Sequence, residues 1–443
     1  MSTSSPLSTA PSTRALSFEE ARHLVELQAA GVCPGDTETV DLLASLGRVP
    51  AEEILADRDF PPFARAARDG YAVCAADLAE VPARLEVIGE VKAGDWPDPG
   101  VCSVGRGQAV GIMTGAPLPA GADAVVMVEH TSLAGHSLEV QRTVRVGENF
   151  VPLGAEARAG QVLLDRGHRL DHAGIAIAAS VGKSSLQVFR KPRVAVLSTG
   201  DEVVEIDATP GPARIRNSNS YSLAAQIQNA GGEAVRLAIA PDERGRLRAL
   251  IEEGLKSDLL LLTGGVSMGK YDLVEQVLGE LQAEFYFTGA EIQPGRPVVF
   301  GSYRGWCGAG ALARVSAPAS PSEPARTPKP HRNYFFGLPG NPVSTMVTFE
   351  LFARPMIEAL AGMTPQPLIF PRARLKSEIR SKTGLKRFLP AVLSGEFENA
   401  EVELARWQGS GDIAALARAN CYVVIPPDRE RIVAGEWVAL LMR

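Results

Sequence analysis

Cysteine is scarce and follows no pattern. The five cysteines, Cys33, Cys74, Cys102, Cys307 and Cys421, are odd in number, spread over 443 residues and form no C-x-x-C pair. That argues against a disulfide framework and against a thiolate-bound zinc. The six histidines form no H-E-x-x-H or H-x-x-E-H pair, so a histidine zinc site is not expected either. There is no G-x-S-x-G elbow and no Ser/His/Asp order of the hydrolase kind. No apolar run approaches the ~18 residues of a membrane span. A dominant sign of charge is missing as well: 45 basic residues stand against 51 acidic ones, a net charge of −6. Neither nucleic acid nor an anionic membrane is therefore expected as a partner. An anionic small molecule would have to be met by a local cluster of positive groups. Residues 1–14 are rich in Ser, Thr and Pro around no apolar core. They read as a disordered tail, not a signal peptide, and the cytoplasm is the expected compartment.

What is present is enough chain for several domains, since single cores rarely grow beyond about 250–300 residues. Ser17-x-x-Glu20 makes a capping box, and Ala21, Leu24, Val25 and Gln28 then share one helix face up to Gly31. From about Asp57 the texture changes to short alternating strands: Arg84–Val91, Gln108–Met113, Ala124–Val128 and Leu138–Val146. A Gly/Ala-rich segment, Ala173–Val181, reads as a helix that rejoins the first one. The first domain (15–56 and 157–189) would then be discontinuous, with a small β domain (57–156) inserted into it.

From 190 to 363 strands alternate with helices, the pattern of a doubly wound α/β domain with a mostly parallel sheet. The expected strands are Arg193–Ser198, Ala234–Ile239, Leu259–Leu262, Val298–Phe300 and Tyr334–Phe336. The expected helices are Ser220–Asn229, Glu243–Gly254, Asp272–Leu281 and Pro342–Ala361. Residues 301–332, rich in Ala, Pro, Ser and Arg, read as a flexible insert. Residues 364–443 return to short strands around one short helix, Asp412–Ala419.

Ligands of such α/β folds sit at the carboxyl ends of the strands. Three glycine-bearing polar turns fall there: Ser198–Glu202, Thr263–Ser267 and Gly337–Pro342. The second follows the apolar run Leu259–Leu262 and leads into a helix near Asp272. Such a turn points backbone N–H groups into one concavity, which suits an anion. Gly264-x-x-x-x-Gly269-Lys270 mimics a phosphate-binding P-loop. Tyr271 stands where a magnesium-ligating Ser or Thr belongs, so the match reads as coincidence. The remaining reactive groups are carboxylates on loops (Asp69, Glu156, Glu202, Asp242, Asp272) with Arg296 and Arg387. Hard oxygen ligands suit Mg²⁺ bridging a substrate phosphate. The residues alone therefore point to an enzyme acting on a phosphorylated or oxyanionic compound.

Taken together and in order, several segments resemble the molybdopterin molybdenumtransferase family (MoeA and the E domain of gephyrin). They are Asp69–Ala72, Ile112–Pro119, Ser198–Glu202, Asn217-Ser218-Asn219-Ser220, Thr263–Gly269 with Asp272, Pro294-Gly295-x-Pro297, Leu338–Pro342 and Gly409-Ser410-Gly411. The resemblance implies a molybdopterin-binding type of α/β domain, the inserted and discontinuous domains described above, and a C-terminal domain resembling a β-barrel. It implies a homodimer that inserts molybdate into adenylylated molybdopterin with release of AMP, assisted by Mg²⁺. A partner it suggests is the molybdopterin adenylyltransferase that supplies the substrate. On that basis Thr199, Gly264, Gly265, Ser267, Pro339, Asn341 and Pro342 would hold the pterin substrate. Asp242, Asp272 and Glu202 would hold the cation and, with Asp69 and Thr114, form the catalytic set. Arg296, Pro297, Arg387 and Ser410 would form the molybdate pocket.

Two departures from the family pattern stand out. The usual Phe-Asp-x-Ser-Ala-Met loop is here Phe63-Ala64-Arg65-Ala66-Ala67-Arg68, and Lys-Pro-Gly-Lys-Pro is here Gln293-Pro294-Gly295-Arg296-Pro297. The oxyanion pocket thereby loses a charge. One expectation is that Arg65 or Arg68 restores it from the other subunit. Glu156 stands where the family usually has Asp. The alternatives to a transferase are a pterin-binding paralogue or scaffold that has lost molybdate insertion, and a nucleotide-processing enzyme on the same α/β domain.

Overall fold

The computed structural model describes residues 15–96, 103–265, 273–303 and 332–443. Among these, three six-stranded sheets carry the fold. The α/β sheet runs in the order Glu233–Arg236, Arg193–Ser198, Leu259–Thr263, Asn333–Leu338, Val299–Tyr303, Glu284–Phe287. The first four strands are mutually parallel, Val299–Tyr303 runs antiparallel to them, and Glu284–Phe287 pairs antiparallel with Val299–Tyr303. Leu259, Leu260, Leu261 and Leu262 are fully buried because helices cover both faces of this strand. The strand Glu284–Phe287 was not expected, and Val299–Tyr303 takes in residues 301–303 of the segment read as an insert. Residues 304–331 lie outside the described residues.

The inserted β domain orders its strands Ala124–Met127, Gly70–Val73, Gln108–Ile112, Ala83–Val91, Ser137–Val140, Thr131–Ala134. The strand expected over Leu138–Val146 ends at Val140, and Val146 is exposed. The discontinuous domain is closed by two pairings distant in sequence, Thr37–Asp41 with Ser185–Phe189 and Ile54–Leu55 with Val162–Leu164. The C-terminal unit closes into a barrel. Lys386–Ser394 pairs with both Glu401–Leu404 and Cys421–Ile425, and Arg372–Leu375 and Trp437–Met442 complete the ring.

The first helix, Phe18–Ala30, carries the expected capping box and stops at Gly31. It does not pack with the helix His172–Ser180. That helix buries Ala178 against Ile54, Leu170, Leu186 and Val188. Phe18–Ala30 instead lays Phe18, Ala21, Val25 and Ala29 on the α/β core beside Phe352 and Ile357. A polar contact at a defect in the partner helix accompanies this packing. The helix expected over Pro342–Ala361 is α-helical over Pro342–Thr348 and Arg354–Leu360, with a π turn over Phe349–Ala353 between them. Pro355 offers no N–H to the Leu351 carbonyl four residues back. The guanidinium of Arg22, 6% exposed, donates to that oxygen at 2.5 Å instead.

Candidate functional site

The sheet brings the three turns to one edge. Thr199 donates its N–H to Thr263 O (3.0 Å), and Gly264 donates to Leu338 O (3.3 Å), so the turns continue the strand pairing one residue past the sheet. Gly264 and Gly265 hold φ of +87° and +64°. A Cβ on Gly264 would fall 2.6 Å from Thr199 O, and one on Gly265 would fall 2.8 Å from Thr199 Oγ1. Glycine is therefore required here by backbone conformation and by the approach of the neighbouring turn. Thr199 is 4% exposed, and its hydroxyl has no hydrogen-bond partner among the described residues, which leaves a buried polar atom over the Gly264–Gly265 turn.

A residue not picked out as functional fastens the second turn to the third. Asn219, in the first turn of the helix Ser218–Asn229, donates through Nδ2 to Thr263 Oγ1 (2.9 Å) and to Gly340 O (2.8 Å). Thr263 and Thr345 in turn donate their hydroxyls to Pro339 O at 3.1 and 2.5 Å. Asn341 is the N-cap residue of Pro342–Thr348, with Pro342 starting the helix, as expected. Its side chain makes no capping bond, and it is exposed. The Asn217-Ser218-Asn219-Ser220 motif was a signal that could have found Asn219. What hid its role is that its partners lie 44 and 121 residues away in the chain.

Acidic groups cluster at the loops after the two outer parallel strands. Glu202 folds over Gly200, and Asp242 donates its N–H to Asp201 Oδ1 at 3.2 Å. Glu202 and Asp242 are exposed. Ser267 and Asp272 lie outside the described residues, as does Lys270. Among the described residues no group of three or more His, Cys, Asp or Glu is gathered closely enough to hold a metal ion.

Basic groups arrive from the other side. Because Val299–Tyr303 runs antiparallel to Asn333–Leu338, pairing Val299 with Gly337, the segment before it (Gln293–Val298) reaches the same sheet edge as the turns. Gly295, at φ +109°, lets that segment pass against Thr348, where a Cβ would fall 2.4 Å from its Cγ2. Arg296 follows it and is exposed, with Pro297 leading into the strand. Ile292–Gln293 pairs in parallel with Lys386–Arg387, so Gln293 and Arg387 are register neighbours. Arg387 donates Nη2 and Nε to Lys382 O at 2.8 and 3.3 Å. Val343 donates its N–H to Ser410 O (3.0 Å), which ties the Gly409–Gly411 loop to the start of the same helix. That loop lines an open pocket of about 700 Å³ with Gln408 and Asp412.

Asp69 and Thr114 meet within the β domain. Both the N–H and the hydroxyl of Thr114 donate to Asp69 Oδ1, at 2.6 and 2.7 Å. These two bonds hold the Asp69 carboxyl below its usual range. Arg65 is already engaged, donating to Glu156 at 2.9 Å, so an arginine of the altered Phe63–Arg68 loop pairs with the glutamate that stands in place of Asp. Arg68 is exposed.

No helix among the described residues is long and apolar enough to cross a membrane. Residues 16–182 match the MoeA N-terminal region (domain I and II), 195–359 a probable molybdopterin binding domain, and 372–442 the MoeA C-terminal region (domain IV). A molybdopterin molybdenumtransferase of Nostoc is 34% identical over 417 residues, covering 92% of this chain and 88% of the relative. The protein of that name from Bacillus subtilis is 33% identical over 420 residues, covering 92% and 90%. Two solved structures of molybdopterin biosynthesis MoeA proteins from Pyrococcus horikoshii each cover 97% of this chain. One gives a TM-score of 0.72 at 28% identity over 100% of its own chain, the other 0.66 at 31% over 99%. Similarity of that extent, in sequence and across all parts of the fold, establishes that this chain belongs to the molybdopterin molybdenumtransferase family.

Proposed function

We propose that the protein is a molybdopterin molybdenumtransferase, which inserts molybdate into adenylylated molybdopterin and releases AMP. What supports this reading is that the three glycine-bearing turns share one sheet edge, that the segment carrying Arg296 returns to the same edge past Thr348, and that Ser410 O accepts from Val343 at the start of the helix Pro342–Thr348. The Thr263–Gly265 turn offers the pterin phosphate or the adenylate a concave backbone surface. Thr199, Pro339, Asn341 and Pro342 wall the same cleft. Arg296, Arg387 and Ser410 supply the cationic and hydroxyl donors that a molybdate dianion needs once it leaves water.

The acids at this edge fit a divalent cation by donor chemistry, being hard, exposed carboxylates (Glu202, Asp242) on loops that follow neighbouring strands. Asp272 would complete the set. When bound, Mg²⁺ would neutralise charge that builds on the phosphoryl oxygens. The protein's own residues do the rest: the turns orient the phosphates, and the arginines draw in the oxyanion. Asp69, kept ionised by Thr114, would act in the same reaction from the β domain. A cytoplasmic homodimer that receives its substrate from the adenylyltransferase, divided at residues 57, 157, 190 and 364, accompanies this reading.

The scaffold reading draws support from two departures: Gln293, the register neighbour of Arg387, is neutral, and the Phe63–Arg68 loop is altered. The deciding experiment incubates the protein with adenylylated molybdopterin, Mg²⁺ and molybdate, then measures AMP and pterin-bound molybdenum. Molybdate-dependent AMP release is expected. Pterin binding without it would leave the scaffold.

A further inference from the structure

Resting on the assignment of Arg296 and Arg387 to the molybdate pocket, we infer that Lys382 is an additional anion-binding residue of that pocket. Arg387 does not stand alone at its strand. Its guanidinium grips the carbonyl of Lys382 through Nη2 and Nε, at 2.8 and 3.3 Å. This leaves the Nη1 hydrogens and one Nη2 hydrogen to face an anion, the paired geometry an oxyanion prefers. The same two bonds bring the Lys382 backbone directly against the Arg387 head. A four-carbon stem from that point reaches any anion docked on Arg387.

The turn that carries Lys382 is pinned. Ser381 donates its N–H to Glu430 O at 2.9 Å, and Gly384 donates its own to Pro427 O at 2.7 Å. The neighbouring lysines are committed elsewhere. Lys386 pairs with Glu19 and lies 4.8 Å from the centre of the Phe18 ring, and Lys376 pairs with Glu403 at 3.3 Å. Lys382 is exposed and has no acidic partner among the described residues. Arg65, by contrast, has its charge held by Glu156. With Gln293 neutral beside Arg387, the exposed ammonium of Lys382 adds a third cation to Arg296 and Arg387 around a bound dianion. Both backbone and side chain of Lys382 then serve the pocket: the carbonyl orients Arg387, and the ammonium binds.

The test is equilibrium dialysis of the full chain against molybdate, with sulfate as competitor, for Lys382→Ala, Lys382→Arg, Arg387→Ala and the surface control Lys376→Ala. One exposed charge near a dianion is expected to weaken binding about 5- to 10-fold in Lys382→Ala at low salt. The loss should shrink as ionic strength rises. Lys382→Arg should restore most of it, Lys376→Ala should leave it unchanged, and unfolding midpoints should stay constant. Unchanged affinity in Lys382→Ala, with affinity lost in Arg387→Ala, overturns the inference alone. Unchanged affinity in both overturns the pocket assignment and this inference with it.

Discussion

Asn219 is the site residue whose removal should be felt most widely. Its amide orientation is fixed by chemistry: the Gly340 oxygen only accepts, so the group facing it at 2.8 Å must be the NH₂. Asn219→Ala removes that bond and the one to Thr263 Oγ1, each worth about 1 kcal/mol net. Two circumstances reduce the loss. Gly340 is exposed and can take water, and Asn219 Oδ1 is already buried without a donor among the described residues. Removing that oxygen returns about 1 kcal/mol. The net expectation is about 0–1 kcal/mol of local destabilisation. Asn219→Asp keeps the shape but turns a carboxylate oxygen toward the Gly340 carbonyl, and should cost about 3 kcal/mol. Hydrogen exchange of peptides covering 259–265 and 338–345 is the direct assay, since this one amide bonds to both turns. Protection should fall in both peptides together, further in Asn219→Asp than in Asn219→Ala. If Asn219→Asp protects these peptides better than Asn219→Ala, the clamp is not what holds them.

Gly264→Ala forces a positive φ on an L residue and drives Cβ to 2.6 Å from a backbone oxygen, so about 2–4 kcal/mol should be lost in urea unfolding. Gly47→Ala, also at positive φ (+74°) but with nothing within 4 Å, should cost only about 1–2 kcal/mol. In the β domain, Asp69 has a depressed carboxyl, so its contribution to holding the Thr114 loop is complete above the ordinary carboxylate range. It is lost as pH falls through the depressed value. Carboxyl-carbon NMR should show Asp69 titrating nearer its ordinary value in Thr114→Val, which keeps the N–H donor and removes the hydroxyl. An unmoved titration would assign the depression to the backbone bond alone.

The parallel core was legible because its signals are local. Leu259–Leu262 is an unbroken apolar run, and the capping box at Ser17 needs only four residues to be recognised. What was not legible depended on partners far away in the chain. The strand Lys386–Ser394 opens on two charges and contains Pro390, which locally argues against a strand interior. Its identity comes from closing a ring with Glu401–Leu404 and Cys421–Ile425. The placement of the first helix brings Arg22 to the Leu351 carbonyl, 329 residues on. Periodicity shows which face of that helix is apolar, but not which core it covers. In the site, the glycine turns announced themselves. The clamp that joins them did not, because Asn219 looks like one more polar residue at a helix start.

The sheet order also explains why one edge can handle both ends of a charged substrate. Counted across the sheet, the loops after Arg193–Ser198 and Glu233–Arg236 carry Asp201, Glu202 and Asp242. The middle strands, Leu259–Thr263 and Asn333–Leu338, end in neutral turns held by amide and hydroxyl bonds. The antiparallel strand beyond them begins just after Arg296, and the barrel strand paired before it carries Arg387. Had Val299–Tyr303 been parallel to its neighbour, its start would lie at the opposite edge and Arg296 with it. The reversal of one strand therefore separates acids from cations along one sheet edge, with uncharged turns between. Because the scaffold is built from neutral hydrogen bonds, Asp242, Glu202 and Arg296 are not consumed in ion pairs among the described residues. Under the proposed function they would be available to a cation at one end and an oxyanion at the other.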